Sequence, residues 1–148
     1  MAATTFGTVL VVEDDRSTRD MVVALMTGAG FRAVSAEDGL EALHLLRAVR
    51  HREPDTPCLI LLDLSMPRLG GREFRRAQLG DPVVATVPVA LMTGSHDSDA
   101  ASADLGAVAT ITKPLDLDRL VATVRRHCVS FSDTGRDGPG RGIGQQPA

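Results

Sequence analysis

The 148-residue sequence is distinguished first by what it lacks. It contains no tryptophan and no tyrosine, and only four phenylalanines. No apolar run approaches the roughly 20 residues that span a bilayer, and the N-terminal segment MAATTFG lacks both the basic and the apolar part of a secretory signal. A formal net charge of −3 and a pI near 5.7 provide no basic field for nucleic acid. We therefore expect a cytoplasmic protein that binds neither membranes nor nucleic acid directly.

Cysteine and histidine are also too sparse and too scattered to indicate a metal site. Cys58 and Cys128 lie in apolar segments far apart in the sequence, and because free cysteine is among the most buried residue types, we expect both to be buried thiols. None of the four histidines pairs with another histidine or a cysteine at helical ligand spacing. The sequence therefore predicts no structural zinc site.

The sequence does contain enough apolar residues, 43%, for one domain with its own core. Five short apolar runs are continuous rather than alternating, which is typical of parallel strands covered on both faces. The runs are Thr8–Val12, Phe31–Ser35, Cys58–Leu62, Val87–Met92 and Ala107–Ile111.

Helical patterns follow each of these runs. The clearest is the last, in which Leu117, Leu120, Val121, Val124 and Cys128 share one face. Similar spacings predict a first helix that stops at Gly28 to Gly30 and a second that includes residues 42–49, with short helices around 72–79 and 98–105. Five β-α repeats predict an α/β domain, a parallel sheet with helices on both faces.

We expect this domain to occupy residues 1–129. From Ser130 onward the sequence is rich in glycine and proline and loses its apolar periodicity, so residues 130–148 are predicted to be a disordered tail. Residues 51–57, HREPDTP, are predicted to be a loop.

Polar side chains stand at the ends of four predicted strands. In an open parallel sheet these carboxyl ends form the ligand-binding edge. Three consecutive carboxylates at the end of a buried strand repel one another and require a positive partner. The strand-end residues are Glu13, Asp14 and Asp15 after strand one, Asp63 after strand three, Thr93 after strand four and Lys113 after strand five.

These residues belong to motifs that resemble the receiver domain of bacterial two-component response regulators, the family that includes the stand-alone chemotaxis regulator. The motifs are VLVVEDD with Arg19 shortly after, LLDLSMPRLGG, DPVVATVPVALMTG and TITKP. Their order and separations match the family over about residues 6–129. The resemblance implies a flavodoxin-like, doubly wound five-stranded parallel sheet of order 2-1-3-4-5.

The resemblance also implies a phosphorylation site that depends on Mg²⁺. Asp63 would be the nucleophile that accepts a phosphoryl group from a phosphohistidine. Glu13, Asp14, Asp63 and the backbone carbonyl of Ser65 would bind Mg²⁺, which supplies the missing positive charge. Asp15 is predicted to be solvated or to cap the first helix rather than to bind the ion.

Two further residues would bind the phosphoryl oxygens, Lys113 through its ammonium and Thr93 through its hydroxyl. Gly94 would leave open space beside Thr93. The Lys113–Pro114 bond is expected to be cis, as is usual in the family. Met66-Pro67 and Gly70-Gly71 form the loop after the nucleophile, in which glycine is predicted to meet positions with φ above zero.

The sequence departs from the family pattern near strand five. Thr110 stands where most receivers have Tyr or Phe, Leu115 replaces the usual aromatic residue after Lys-Pro, and Gly70 replaces an acid. Without Tyr or Trp, an aromatic switch of the usual kind on strand five is excluded. We expect phosphorylation to shift the loops after strands three and four more than strand five itself.

The function that follows from the resemblance is that of a stand-alone response regulator, since the sequence ends about nineteen residues after the last helix. Its partners would be a sensor histidine kinase or histidine phosphotransfer protein and a downstream protein target. It would catalyse its own phosphotransfer and dephosphorylation without being an enzyme that acts on an external substrate.

Three alternatives belong to other classes of protein. A pseudo-receiver would keep the fold as a binding module without phosphorylation. A phosphatase of the haloacid dehalogenase type would need a D-x-D motif on strand one, which Glu13-Asp14-Asp15 does not provide. A dinucleotide enzyme would need G-x-G-x-x-G after that strand, and the sequence has none there.

Overall fold

The computed structural model describes residues 7–49, 56–64, 66, 69–94 and 103–128. Residues 98–102 of the predicted fourth helix, most of the predicted 51–57 loop and the predicted 130–148 tail lie outside these ranges, whereas residues 103–105 are helical. The elements, in chain order, are β1 (Thr8–Val12), α1 (Arg16–Gly28), β2 (Arg32–Ala36), α2 (Gly39–Val49), β3 (Pro57–Asp63), α3 (Gly71–Leu79), β4 (Val89–Thr93), β5 (Ala109–Thr112) and α4 (Leu117–His127).

The five strands form one parallel sheet of order β2-β1-β3-β4-β5, which confirms the predicted fold. In the pairing register, Val12 lies opposite Leu62 and Asp63 opposite Met92. The carboxyl ends of β1, β3 and β4 therefore stand side by side. Predicted and observed strand bounds differ by at most two residues.

Alternate strand residues face two separate apolar clusters, one on each side of the sheet. Leu10, Leu62 and Phe74 belong to the cluster under α2 and α3. Val11 and Leu120 belong to the cluster under α1 and α4. The two-sided burial explains why the central strands have continuous apolar sequences. Strand β2 is at the edge of the sheet and is largely exposed, which explains its weaker pattern.

Aspartates begin three of the helices, α1 and α4 among them. The Asp15 carboxylate accepts a hydrogen bond from the Thr18 amide at 2.8 Å, and Asp116 accepts one from the Arg119 amide at 3.2 Å. Each satisfies a backbone donor that the helix cannot pair internally. At the other end of α1, Gly30 has a φ of 100°, which favours glycine. None of the helices in the described ranges is both long enough and apolar enough to cross a bilayer.

The prediction of two buried thiols is wrong, because a disulfide joins Cys58 to Cys128. Their Cα atoms are 5.4 Å apart, although the residues are separated by 70 positions. Cys58 lies near the start of β3, and Cys128 directly follows α4. Helix α4 packs against β3, and this tertiary contact, which no spacing in the sequence encodes, brings the two sulfurs together. Cys128 is buried as predicted, whereas Cys58 is half-buried.

Candidate functional site

Three carboxylates meet at the carboxyl edge of the sheet. Glu13 and Asp14 follow β1, and Asp63 ends β3, the neighbouring strand. One carboxylate oxygen from each residue lies within 4.8 Å of the other two. Glu13 and Asp63 are buried, with 0% and 3% of their surface exposed, while Asp14 is exposed. The structure therefore brings together the three side chains that the family resemblance implies as metal ligands.

The chemistry of this group fits Mg²⁺. All three side chains offer carboxylate oxygens, the hard ligands that Mg²⁺ prefers, and the exposed side at Asp14 leaves room for the waters that this ion retains. Of the residues in the described ranges, no other set of three or more acidic, histidine or cysteine side chains converges in this way. The fourth predicted ligand, the carbonyl of Ser65, lies outside the described residues.

Lys113, the only lysine in the sequence, reaches into the acid cluster from the end of β5. Its Nζ atom lies 2.9 Å from Glu13 Oε1 and 3.4 Å from Asp63 Oδ1. Burial lowers the pKa of Lys113, but the hydrogen bond to Glu13 and the charge of Asp63 outweigh this effect and raise the pKa above its ordinary value. The ammonium therefore stays charged beside Asp63. The peptide bond to Pro114 is cis, as predicted.

Thr93 ends β4 beside Asp63 and Lys113. The Lys113 amide donates a hydrogen bond to the Thr93 carbonyl at 2.8 Å, which extends the β4–β5 pairing by one residue. Thr93 is 7% exposed, and a Cβ atom built at Gly94 would meet no atom of the described residues within 4 Å. The predicted open space beside Thr93 is therefore present in the described part of the chain.

The connection from β1 to α1 is held by Asp15 and Arg19. The Asp15 carboxylate caps α1, as predicted, and the hydrogen bonds from Thr18 lower its pKa. Arg19 Nη1 donates to the carbonyl oxygens of Glu13 at 3.0 Å and Asp14 at 3.3 Å. Arg19 belongs to the first sequence motif, which by itself predicts no role for it. The sequence signal for Arg19 is its position, one turn into the helix that follows the acid pair.

The glycines after Asp63 are required for a different reason from the predicted one. Gly70 has a φ of −73°, and of the described glycines only Gly30 and Gly106 have positive φ. A Cβ atom on Gly71 would instead lie 2.5 Å from the carbonyl oxygen of Asp63. Gly71 therefore allows the start of α3 to pack directly on the backbone of the predicted nucleophile. Pro67, in the same loop, lies outside the described residues.

Thr110 occupies the central part of β5, where the family pattern has an aromatic residue. Its carbonyl accepts a hydrogen bond from Arg119 Nη2 at 3.1 Å. Its buried hydroxyl has no hydrogen-bond partner among the described residues. The polar side chain is thus held in place by its backbone and by packing rather than by a contact of its own.

Comparison with known proteins supports the resemblance. The family described as response regulator receiver domain matches residues 9–125. Protein Rrf1 of Nitratidesulfovibrio vulgaris is 31% identical over 134 residues, which cover 88% of this chain and 89% of Rrf1. The phosphate regulon transcriptional regulatory protein PhoB of Pseudomonas aeruginosa is 32% identical over 120 residues, which cover 80% of this chain but only 50% of PhoB.

Solved structures show the same arrangement of strands and helices. The chemotaxis response regulator CheY4 of Vibrio cholerae matches with a TM-score of 0.72 and 28% sequence identity. The superposition covers 82% of this chain and 98% of that one. The likeness therefore extends over nearly the whole of a chemotaxis regulator.

Proposed function

The chain belongs to the response regulator receiver family, and on this premise we propose that it accepts a phosphoryl group on Asp63 in a Mg²⁺-dependent reaction and signals by protein–protein contact. One observation carries the proposal. The ammonium of Lys113 lies 3.4 Å from the Asp63 carboxylate, which converges with the carboxylates of Glu13 and Asp14. An aspartate with only a structural role at a strand end would not require a lysine and two further carboxylates beside it.

In the proposed reaction, an Asp63 carboxylate oxygen attacks the phosphorus of a phosphohistidine on a kinase or phosphotransfer protein. An O–P bond forms, the P–N bond breaks, and the histidine nitrogen leaves with the electron pair. Lys113 binds a phosphoryl oxygen through its ammonium, and Thr93 donates its hydroxyl to another. Lys113 exchanges part of its contact with Glu13 and Asp63 for the incoming group.

The acid cluster supports this chemistry only when its repulsion is offset. Glu13, Asp14 and Asp63, with the carbonyl of Ser65 as a proposed fourth ligand, would hold Mg²⁺. The ion would neutralise negative charge as a phosphoryl group approaches three carboxylates. With the ion bound, Lys113 and the cation together would balance the charge of Asp63 while its carboxylate acts as the nucleophile.

We also propose the setting of the reaction. The donors are a sensor histidine kinase or a histidine phosphotransfer protein, and the receiver of the signal is a downstream protein that recognises the phosphorylated form. We place this phosphoryl transfer in the cytoplasm, because that is where a histidine kinase obtains its ATP. The receiver domain is assigned to residues 1–129. Slow hydrolysis of the aspartyl phosphate by the same site returns the protein to its resting state.

The decisive experiment is the intact mass after incubation with acetyl phosphate, with and without Mg²⁺. We expect the mass of one phosphoryl group on the wild type in the presence of Mg²⁺ and no gain in Asp63→Asn. Asp81→Asn is the matched control, because Asp81 lies away from the site and pairs with Arg47. No gain in the wild type would favour a binding module that has kept the fold without the reaction.

A further inference from the structure

Arg19 stands beside the acid cluster but pairs with none of its carboxylates. Its side chain is half-buried, and its Nη1 atom donates to two backbone oxygens, those of Glu13 and Asp14. Across the described ranges, no carboxylate lies within ion-pair distance of its guanidinium. The guanidinium of Arg19 therefore binds the backbone of the site rather than its carboxylates.

The two oxygens that Arg19 binds belong to the segment just beyond β1, where strand pairing no longer holds the backbone. The paired register of β1 with both neighbours ends at Val12. The amide of Glu13 still donates to the carbonyl of Ala36 at 3.1 Å. Beyond that bond, Arg19 holds the carbonyls on either side of the Asp14 Cα atom through a single nitrogen.

Asp14 depends on this backbone anchor more than its neighbour does. The Glu13 carboxylate is fixed by Lys113 Nζ at 2.9 Å and by the Asp15 amide at 3.2 Å. The exposed Asp14 carboxylate has no hydrogen-bond or ion-pair partner in the part of the chain that the structure describes. The direction of its Cα–Cβ bond is therefore set by the two peptide groups that Arg19 binds.

We propose that Arg19 is a positioning residue for the divalent-cation site, one that aims the Asp14 carboxylate at Glu13 and Asp63 before the ion arrives. This inference rests on the proposed function, since it concerns the same cation. A fixed ligand loses less freedom on binding, so supporting groups of this kind commonly change metal affinity by about 10- to 100-fold. The positive charge of Arg19 opposes the cation, so its benefit must come from geometry.

Arg19→Lys separates geometry from charge, because it keeps the charge but replaces the planar fork with a single ammonium. Arg16 provides the matched control. It lies in the same first turn of α1, is 86% exposed and pairs only loosely with Asp20 at 3.8 Å. In calorimetric titration with Mg²⁺, we expect the Kd of Arg19→Lys to rise about tenfold and that of Arg16→Lys to equal the wild-type value.

Arg19→Gln and Arg16→Gln form a second pair, in which each variant loses one positive charge. Loss of charge alone tightens Mg²⁺ binding, so Arg16→Gln should bind at least as well as the wild type. Arg19→Gln should bind several-fold more weakly than Arg16→Gln. If Arg19→Lys folds poorly, the Kd values of these two glutamine variants test the proposal instead.

The outcomes separate this inference from the proposed function. Absence of Mg²⁺ binding by the wild type contradicts the proposed function. Binding by the wild type with equal affinity in both Arg19 variants and their Arg16 controls overturns the role of Arg19. A purely structural role also overturns it, and this role would lower the unfolding temperature of the metal-free Arg19 variants while leaving the Kd unchanged.

Discussion

Lys113 and Glu13 form an ion pair across the sheet, with Nζ 2.9 Å from Oε1, although they are 100 residues apart in the sequence. Glu13 is fully buried, and Lys113 is its charged partner. Because a buried carboxylate without a partner is strongly unfavourable, this pair keeps the resting cluster stable before any cation binds. It also places the ammonium where it competes with that cation.

Replacement of Lys113 should therefore have opposite effects on metal binding and on phosphorylation. In Lys113→Met we expect Mg²⁺ to bind several-fold more tightly, because a competing positive charge is gone. Phosphorylation by acetyl phosphate should slow by about 100-fold, because the phosphoryl oxygens lose a charged donor. Calorimetric titration and intact-mass time courses measure the two effects.

Lys113→Arg, which keeps the charge, is the control for the first effect and should bind Mg²⁺ as the wild type does. Since Lys113 is the only lysine, selective ¹⁵N-lysine labelling reports on this residue alone. Its signal should move when Mg²⁺ is added. An unchanged signal and an unchanged rate in Lys113→Met would contradict the assigned role.

The disulfide between Cys58 and Cys128 should add substantially to stability. A covalent link that closes a loop across 70 residues restricts the unfolded chain, and by loop-closure entropy it is worth about 4 kcal/mol. Urea unfolding of the oxidised and the reduced wild type should differ by about this amount. In Cys58→Ser with Cys128→Ser, a reductant should make no difference.

Intact mass under denaturing conditions checks the state of the two cysteines. The oxidised protein should gain two hydrogen atoms when a reductant is added, and the double serine variant should gain none. A wild type that carries two free thiols after exposure to a small disulfide oxidant would count against the link.

Arg75 and Gln78 should contribute strongly to stability through a buried polar network. The Arg75 guanidinium donates to the carbonyls of Leu105 at 2.9 Å and Gly106 at 3.2 Å, and to Gln78 Oε1 at 2.7 Å. Gln78 in turn donates to the carbonyls of Val84 and Val87. Burial lowers the pKa of Arg75, but an arginine stays protonated at neutral pH.

Substitution within this network leaves buried carbonyls without donors, so Arg75→Ala should lower the free energy of unfolding by about 3 kcal/mol and Gln78→Ala by about 2 kcal/mol. The double variant should lose less than the sum, because the two residues share a bond. Arg76→Ala, on the exposed neighbour, should change stability by no more than about 0.5 kcal/mol. Equal losses for Arg75 and Arg76 would contradict this account.

Of two glycines near the site, Gly71 should be sensitive to replacement by alanine and Gly94 should not. At Gly71 the added methyl group would lie 2.5 Å from the Asp63 oxygen and 2.7 Å from the Leu64 Cα atom, both of which are backbone. We expect a loss of about 2 kcal/mol and slower phosphorylation, because the backbone of Asp63 must move. Gly94→Ala meets nothing within 4 Å among the described residues and should fold normally. Urea unfolding compares the two.

Much of the fold follows from local sequence patterns. Continuous apolar runs identify parallel strands, and the spacing in α4 identifies a helix with one buried face. Asp15 is predicted to be solvated or to cap the first helix, and its carboxylate does cap α1. The site residues at strand ends could also be named in advance, since the carboxyl edge of a parallel sheet is where ligands bind.

The sequence by itself determined the elements, their order and the set of acids, hydroxyl and ammonium at one edge of the sheet, because these follow from periodicity and from motif order. Only the tertiary structure decided which distant groups touch. The Cys58–Cys128 link, the Lys113–Glu13 pair and the steric need for Gly71 all depend on packing between elements far apart in the chain. Such contacts are fixed by the three-dimensional arrangement of helices on the sheet, about which local spacing carries no information.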